Sequence, residues 1–388
     1  MGLIDKIFKI PGRKENGYFE TLTAYAPVWT SWGGKLYESD LVRAAIDARA
    51  RHISKLKAEI SGAAQPRLQA KLRRAPNDWQ TWSQWMYRLS TILDMQNTAF
   101  IVPVFDDSAQ VSGYFPILPS RCELVNVGND IGIRYQFATG DWALALLSET
   151  GIMTKYQYSD DFFGDSNRAL ETTMQLLYIQ AKGVEEAVKN SATYRFMAKV
   201  NNFAQPKDLK KERERFTQEN LTKDGGGILL FPNTYSEIKQ IETKPYTVAA
   251  AETEQIKTNV YNYFGVNADV IQNKALGDQL DAFFNGAIEP FAIQLSEVMT
   301  KLIFSERERS SGACFMATAN RLQYMSADKK ISMAKELGDR GMLMIDEVRE
   351  LLNYPPLPDG KGQRATIRGE YYFVDEKKEK SDGEDTGG

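Results

Sequence analysis

The chain is poor in the residues that metal and thiol chemistry need. Of its 388 residues, two are cysteine (Cys122 and Cys314) and one is histidine (His52). Two distant cysteines without partners at metal-ligand spacing read as small buried apolar residues of a protein kept in a reducing compartment. A lone histidine excludes His-based metal clusters and argues against a Ser-His-Asp triad. No run of ~18 apolar residues is present, so no segment reads as a membrane span. Neither sign of charge dominates, since 48 Lys and Arg stand against 51 Asp and Glu for a formal net charge of −3. A protein that grips nucleic acid by neutralising phosphates needs a strongly basic surface, which this composition does not supply. The opening Met1-Gly-Leu-Ile-Asp-Lys6 carries Lys6 where a myristoylation signal needs Ser or Thr. It is also too short and too charged for a secretory signal.

Hydrophobic residues make up 43% of the chain, ample for a core, and the length suits two to three structural units of ~150 residues. The most regular pattern lies in residues 247–304. Ile256, Val260 and Phe264 recur at i, i+4, i+8 and predict a helix that Gly265 stops. After a polar loop, Leu280, Phe284, Ile288, Phe291, Leu295, Val298 and Leu302 predict a second helix of roughly 25 residues, about 38 Å long. Pro290 removes a backbone donor from its interior and predicts a kink there.

Upstream, Asp40 is placed to cap a helix with Val42, Ala45, Ile46, Ile53, Leu56 and Ile60 on one face and Arg43, Asp47, Arg51 and Lys55 on the other. Asn77 or Asp78 is placed to cap another over 79–95, with Trp82, Trp85, Leu89, Ile92 and Leu93 as its buried stripe. Trp79, Trp82 and Trp85 could be a base-stacking platform, but their helical period and few basic neighbours favour core packing. Strand-like runs follow at 99–105, 113–118, 121–127, 131–137 and 152–158, an α+β region. A helix is expected from Asp165 or Ser166 to about 189, a strand over 194–200, and a highly charged helix over 206–220. Lys207, Lys210, Lys211, Arg213 and Arg215 alternate there with Asp208, Glu212, Glu214 and Glu219, the usual sign of a solvated face. Strands over 227–231 and 235–241 form an expected hairpin. Gly225, Gly226 and Gly227 precede a strand rather than a helix and lack Gly-Lys-Ser/Thr, so a phosphate loop is excluded. Strand 313–322 and helices from 326 and over 345–352 follow, and Pro355-Pro356 is expected to end the folded region before an apolar-poor tail.

A striped helix ending in Phe264-Gly265-Val266, a loop of about a dozen residues and a long helix with internal Pro290 resemble the core of portal proteins of long-tailed bacteriophages. The run from Ala44 to Leu56 is similar to that family's first wing helix. One departure is Val266-Asn267-Ala268 where the family often has Val-Pro-Pro, so a less rigid loop is expected. The resemblance implies an α+β portal fold: arm and wing over 1–160, first stem helix 161–191, clip 192–246, second stem helix 247–266, tunnel loop 267–278, kinked wing helix and strand 279–325, crown helices 326–360 and a largely disordered tail 361–388. It further implies a non-enzymatic ring of about twelve copies at one capsid vertex, in the virion and, during assembly, the host cytoplasm. Its implied partners are the terminase large subunit, major capsid protein and scaffold, head-completion proteins, and duplex DNA held weakly in the channel. No cofactor, metal or membrane is implied. Asn267, Asp269, Gln272, Asn273 and Lys274 would face DNA, and the five cations of 207–215 would meet the motor. Two other readings remain open. One is a metal-dependent nucleic-acid enzyme using Asp160, Asp161 and Asp165, against which stands the ordinary preference for carboxylates ahead of a helix. The other is a cytosolic adaptor with a helical arm.

Overall fold

The computed structural model describes residues 21–24, 36–62, 66–105, 111–136, 140, 142–191, 196–200, 206–220, 235–240, 250–319, 327–352 and 354–367. In chain order the elements begin with β1 (Thr21–Ala24), α1 (Asp40–Ile53), β2 (Lys57–Ser61), α2 (Pro66–Arg74), α3 (Trp82–Gln96), β3 (Thr98–Phe105), β4 (Val111–Ile117), β5 (Cys122–Val127), β6 (Asp130–Gln136), β7 (Trp142–Leu146) and β8 (Gly151–Thr154). There follow α4 (Glu171–Ser191), β9 (Phe196–Val200), α5 (Pro206–Asn220), β10 (Tyr235–Gln240), α6 (Ala250–Tyr263), α7 (Ala268–Ile271) and α8 (Asp278–Phe283). The last are α9 (Glu289–Ile303), α10 (Glu306–Ser310), β11 (Cys314–Thr318), α11 (Ala327–Asp339), β12 (Arg340–Met344), α12 (Ile345–Leu351) and β13 (Ala365–Ile367). The chain forms two compact units, Met1–Leu170 with Thr258–Gly388, and Glu171–Lys257.

The first unit holds two antiparallel sheets, ordered β1-β5-β6-β7 and β4-β3-β8. Phe100, Val102, Ile117, Cys122, Leu124, Ile133, Tyr135 and Phe163 form one core cluster drawn from both. Prolines in β3 and β4 are tolerated because of register. Pro103 and Pro116 pair with Tyr114 and Ile101. Tyr114 sends its N–H outward to the Pro76 carbonyl at 2.8 Å, so both prolines occupy positions whose missing donor would point out of this ladder. In α3, Trp82 and Trp85 stack with centroids 5.4 Å apart, and both are buried. They are core, not a base-stacking platform.

Several elements differ from the sequence expectation. The first helix ends at Ile53 rather than running on, and Ile60 lies instead on β2, which pairs antiparallel with β11. Asp40 is the first helical residue, following Ser39 at the N-cap, and its carboxylate accepts the Leu41 N–H. For α3 the cap is Thr81, in a reciprocal capping box with Gln84. Asn77 instead closes its own turn by accepting from the Trp79 and Gln80 N–H groups. β1, α2 and β7 had no signal strong enough to mark them. Folded chain continues past Pro356, because β13 pairs with β12. Cys122 is buried and Cys314 half-buried, both as free thiols.

The predicted kink takes a specific form. Residues Phe284–Ile288 make one π-turn between α8 and α9, with the Glu289 N–H reaching back to the Phe284 carbonyl. Pro290 follows in the first turn of α9 and has no N–H to continue the previous ladder. Arg49 on α1 donates Nε–H to the Ala287 carbonyl of this turn at 3.2 Å.

In the second unit β9 and β10 form an antiparallel pair, Phe196 opposite Gln240 and Val200 opposite Tyr235. The predicted strand over 227–231 lies outside the described residues, as do the N-terminal arm over 1–20 and the tail from 368. Helix α4 leaves Leu176, Ile179, Val184 and Val188 exposed, Ile179 at 63% and Val188 at 64%.

Candidate functional site

Five polar residues of the loop after α6 were candidates for facing DNA, and the structure gives them a folded setting. Gly265 adopts φ +68°, which ends the helix where an L side chain would be strained. Asn267 is not free in the loop: its side chain caps α7 by accepting the Val270 N–H at 2.8 Å. Asp269 lies on α7, its backbone carbonyl accepts from Lys274 and Ala275, and its carboxylate accepts from Gln279. Val266, Val270 and Ala275 are buried beneath. The polar loop, expected to be less rigid than the family's, contains a capped turn of helix with an apolar underside. Gln272, Asn273 and Lys274 remain exposed at its tip. Lys274 donates to the Gln272 carboxamide at 2.7 Å, and Asn273 accepts from Arg51 at 3.4 Å. Beside them Leu276 is 75% exposed.

The five cations on α5 belong to the second unit and are all exposed. Arg215 pairs with Glu212 at 2.6 Å within the helix. Lys207, Lys210, Lys211 and Arg213 present a cationic surface spread around that helix.

Asp160, Asp161 and Asp165 do not form a metal site. The Asp160 carboxylate accepts the Phe162 and Phe163 N–H groups at 2.7 and 2.9 Å, and Asp165 accepts from Ser159. No cluster of metal-ligating side chains occurs among the described residues. The Asp160 and Asp165 carboxylates shape the turn ahead of α4, whose entry is a short 3-10 segment, Asn167–Leu170. That turn is tightly built: a Cβ on Gly164 would meet the carbonyls of Asn97 and Lys155. Asn167 bridges it to α3 and α6, donating to the Asp94 and Met95 carbonyls and accepting from the Tyr263 hydroxyl at 2.7 Å.

Behind it lies a charge cluster that sequence reasoning passed over. Asp94 on α3 has a fully buried side chain and takes both Arg49 and Lys155 on one oxygen, Oδ1. Lys155 is 3.1 Å from that oxygen and also faces the rings of Tyr156 and Phe264. Burial pushes the Lys155 pKa down, and Asp94 works against that. The signal was available, since Arg49 interrupts the Val42, Ile46, Ile53 stripe and Asp94 falls on the buried face four residues after Ser90. A charge in an apolar stripe implies a buried partner.

A family model described as phage portal protein matches residues 41–353. The chain belongs to this family. Among solved structures it is similar to the neck of an empty gene transfer agent particle computed with C6 symmetry, with TM-score 0.58 and 15% identity over 86% of this chain and 97% of that chain. The neck of a native gene transfer agent particle computed with C12 symmetry gives the same four figures. The virion of a native gene transfer agent particle gives TM-score 0.57 and 13% identity at the same coverage. At such identities the likeness is one of fold. No curated protein sequence matches the chain.

Proposed function

We propose that about twelve copies of this portal protein close into a ring at one capsid vertex, forming the channel for DNA packaging and ejection. The ring would nucleate procapsid assembly with the major capsid protein and scaffold, dock the terminase large subunit, and later receive head-completion proteins. It would act in the virion and, before that, in the host cytoplasm. Its role is structural, with ATP hydrolysis left to the terminase.

The observation that carries the ring is α4. A 21-residue helix with Leu176, Ile179, Val184 and Val188 exposed shows more apolar surface than a solvated helix needs. Head-to-tail contacts between identical copies cover such surfaces and close into rings. The twelve-fold count is supported by the C12 symmetry of the native gene transfer agent neck. Negative-stain images and native mass should show rings with a central hole, and Ile179→Glu with Val188→Glu should leave folded subunits that do not close. Rings that persist in that double variant would remove α4 from the contact.

Within the ring, residues 267–278 form the tunnel loop, and Asn267, Asp269, Gln272, Asn273 and Lys274 are its polar surface. A single cation, Lys274, in a loop that also carries the Asp269 carboxylate touches phosphates without trapping them. Because Val270 is buried, the loop is better tested at its tip than by deletion. Gln272→Glu with Lys274→Glu should leave assembly intact and slow packaging, and unchanged packaging would withdraw the role. The residues of α5 form the clip surface for the motor. Reversing Lys210, Lys211 and Arg213 to Glu should weaken terminase binding without altering the ring.

A further inference from the structure

Two helical segments on opposite edges of one β-ribbon carry opposite charge. Between Glu59 and Asp78 the sequence has no acid and four cations, Arg67, Lys71, Arg73 and Arg74, and all four fall on α2. Between Lys274 and Lys301 it has no cation and four acids, Asp278, Asp281, Glu289 and Glu297, all on α8 and α9. Arg73, Arg74, Asp278 and Glu297 are exposed, and Lys71, Asp281 and Glu289 are half-buried. Ile293 lies one turn from both Glu289 and Glu297 on α9 and is 54% exposed. The charges behind this face do not cancel it. Arg49 and Lys155 share Asp94, so with Glu289 and Glu297 three carboxylates stand against two cations around the cavity beside the π-turn.

The ribbon is β2 paired with β11, Ala58 opposite Ala317 and Ile60 opposite Phe315. Phe315 and Ala317 send their N–H groups away from β2, to the Thr300 and Ser296 hydroxyls of α9, each at 2.9 Å. On the other edge the Ala58 carbonyl points away from β11 and accepts Nε–H of Arg73 on α2 at 3.1 Å. Complementary faces on two sides of one subunit join copies head to tail, the kind of contact that closes rings. We propose that, in the ring, α2 of one copy packs against the acidic face of α8 and α9 of the next, centred on Ile293. This contact presupposes the ring reading and adds to α4 a second seam, made by the first unit alone. Two copies approaching acidic face to acidic face repel each other, so the charges also select against a two-fold pairing.

The test mixes two charge-reversed variants of the full chain, Lys71→Glu with Arg74→Glu, and Glu289→Lys with Glu297→Lys. By native mass and negative-stain imaging, each variant alone should give ~10-fold fewer rings, because like charges then face one another. Mixed in equal amounts the two should assemble again, since alternating copies restore opposite charge at every seam. Rings from each variant alone at the yield of the unaltered chain overturn the contact, and so does a mixture that stays dissociated. An unaltered chain that forms no rings overturns the ring reading, and this contact with it. Should a reversed variant not fold, Arg74→Cys with Glu297→Cys provides the second arm. A bifunctional maleimide added to its rings should link copies into multimers beyond those of either single-cysteine variant. Rings of the double variant that yield no such multimers overturn the contact equally.

Discussion

Helices α3 and α5 are both 15 residues long and could hardly differ more in what makes them helical. In α3, Trp82, Trp85, Met86, Leu89, Ile92 and Leu93 are buried, and the two indole N–H groups are satisfied by the Leu56 and Tyr114 carbonyls. Tertiary packing holds it. In α5 nearly every described side chain is exposed, and its support is local: alternating charges and the Glu212–Arg215 pair. A helix of the first kind spends its side chains on its own fold. One of the second kind leaves them for a partner, which is why α5 rather than α3 is offered as the motor-docking surface.

Substitutions sharpen that contrast, and the largest effect is expected in α3. Trp85→Ala should destabilise the first unit by ~3–5 kcal/mol, since it opens a cavity and removes one of the two side-chain donors to the Tyr114 carbonyl, leaving that of Asn77. Denaturant unfolding measures this, and a loss below about 1 kcal/mol would mean that α3 is not held by its core. Asp94→Ala should cost about 3 kcal/mol by stranding two buried cations. Asp94→Ala made together with Lys155→Met should recover part of that loss, which a double-mutant cycle reads directly.

His52 supplies a smaller, pH-dependent effect. Its ring packs edge-on against Phe283, with centroids 5.2 Å apart, and burial, then Lys55 and Arg51, lower its pKa to about 4. The unfolded chain takes up the proton near the ordinary value of 6.5, the folded protein near 4. Stability from the neutral ring is therefore full above pH 6.5 and lost as pH falls towards 4. After allowance for solvent screening, the term is of order 1 kcal/mol. His52→Gln should flatten the stability profile across that window, and an unchanged slope would assign the acid sensitivity elsewhere. Smallest of all, Lys210→Glu with Lys211→Glu and Arg213→Glu in α5 should change stability by less than ~1 kcal/mol. A larger loss would show that the charged face is packed after all.

How much of this was legible beforehand depends on the range of the interactions. Apolar period placed α3, the Ile256, Val260, Phe264 stripe and the stripe of α9, and the charge pattern placed α5 with the bounds observed. These signals are written in neighbours three and four residues apart. The order of elements also carried the portal resemblance, which the family match over 41–353 bears out. Pro290 announced a break, but not that a π-turn would absorb it, nor that Arg49 would reach the Ala287 carbonyl there from 238 residues away in sequence. The end of α1 at Ile53 was likewise hidden, since β2 exists only by pairing with β11.

The loop shows the same division. Its polar composition was plain from Asn267 to Lys274, but Val270 and Ala275 reveal their role only once the first unit packs beneath them. By itself the sequence determined the helices with local support, its scarcity of cysteine and histidine, and the family. Only the tertiary structure decided which charges are buried together, because Arg49, Asp94 and Lys155 meet through folding alone and no local period records a contact made across the chain.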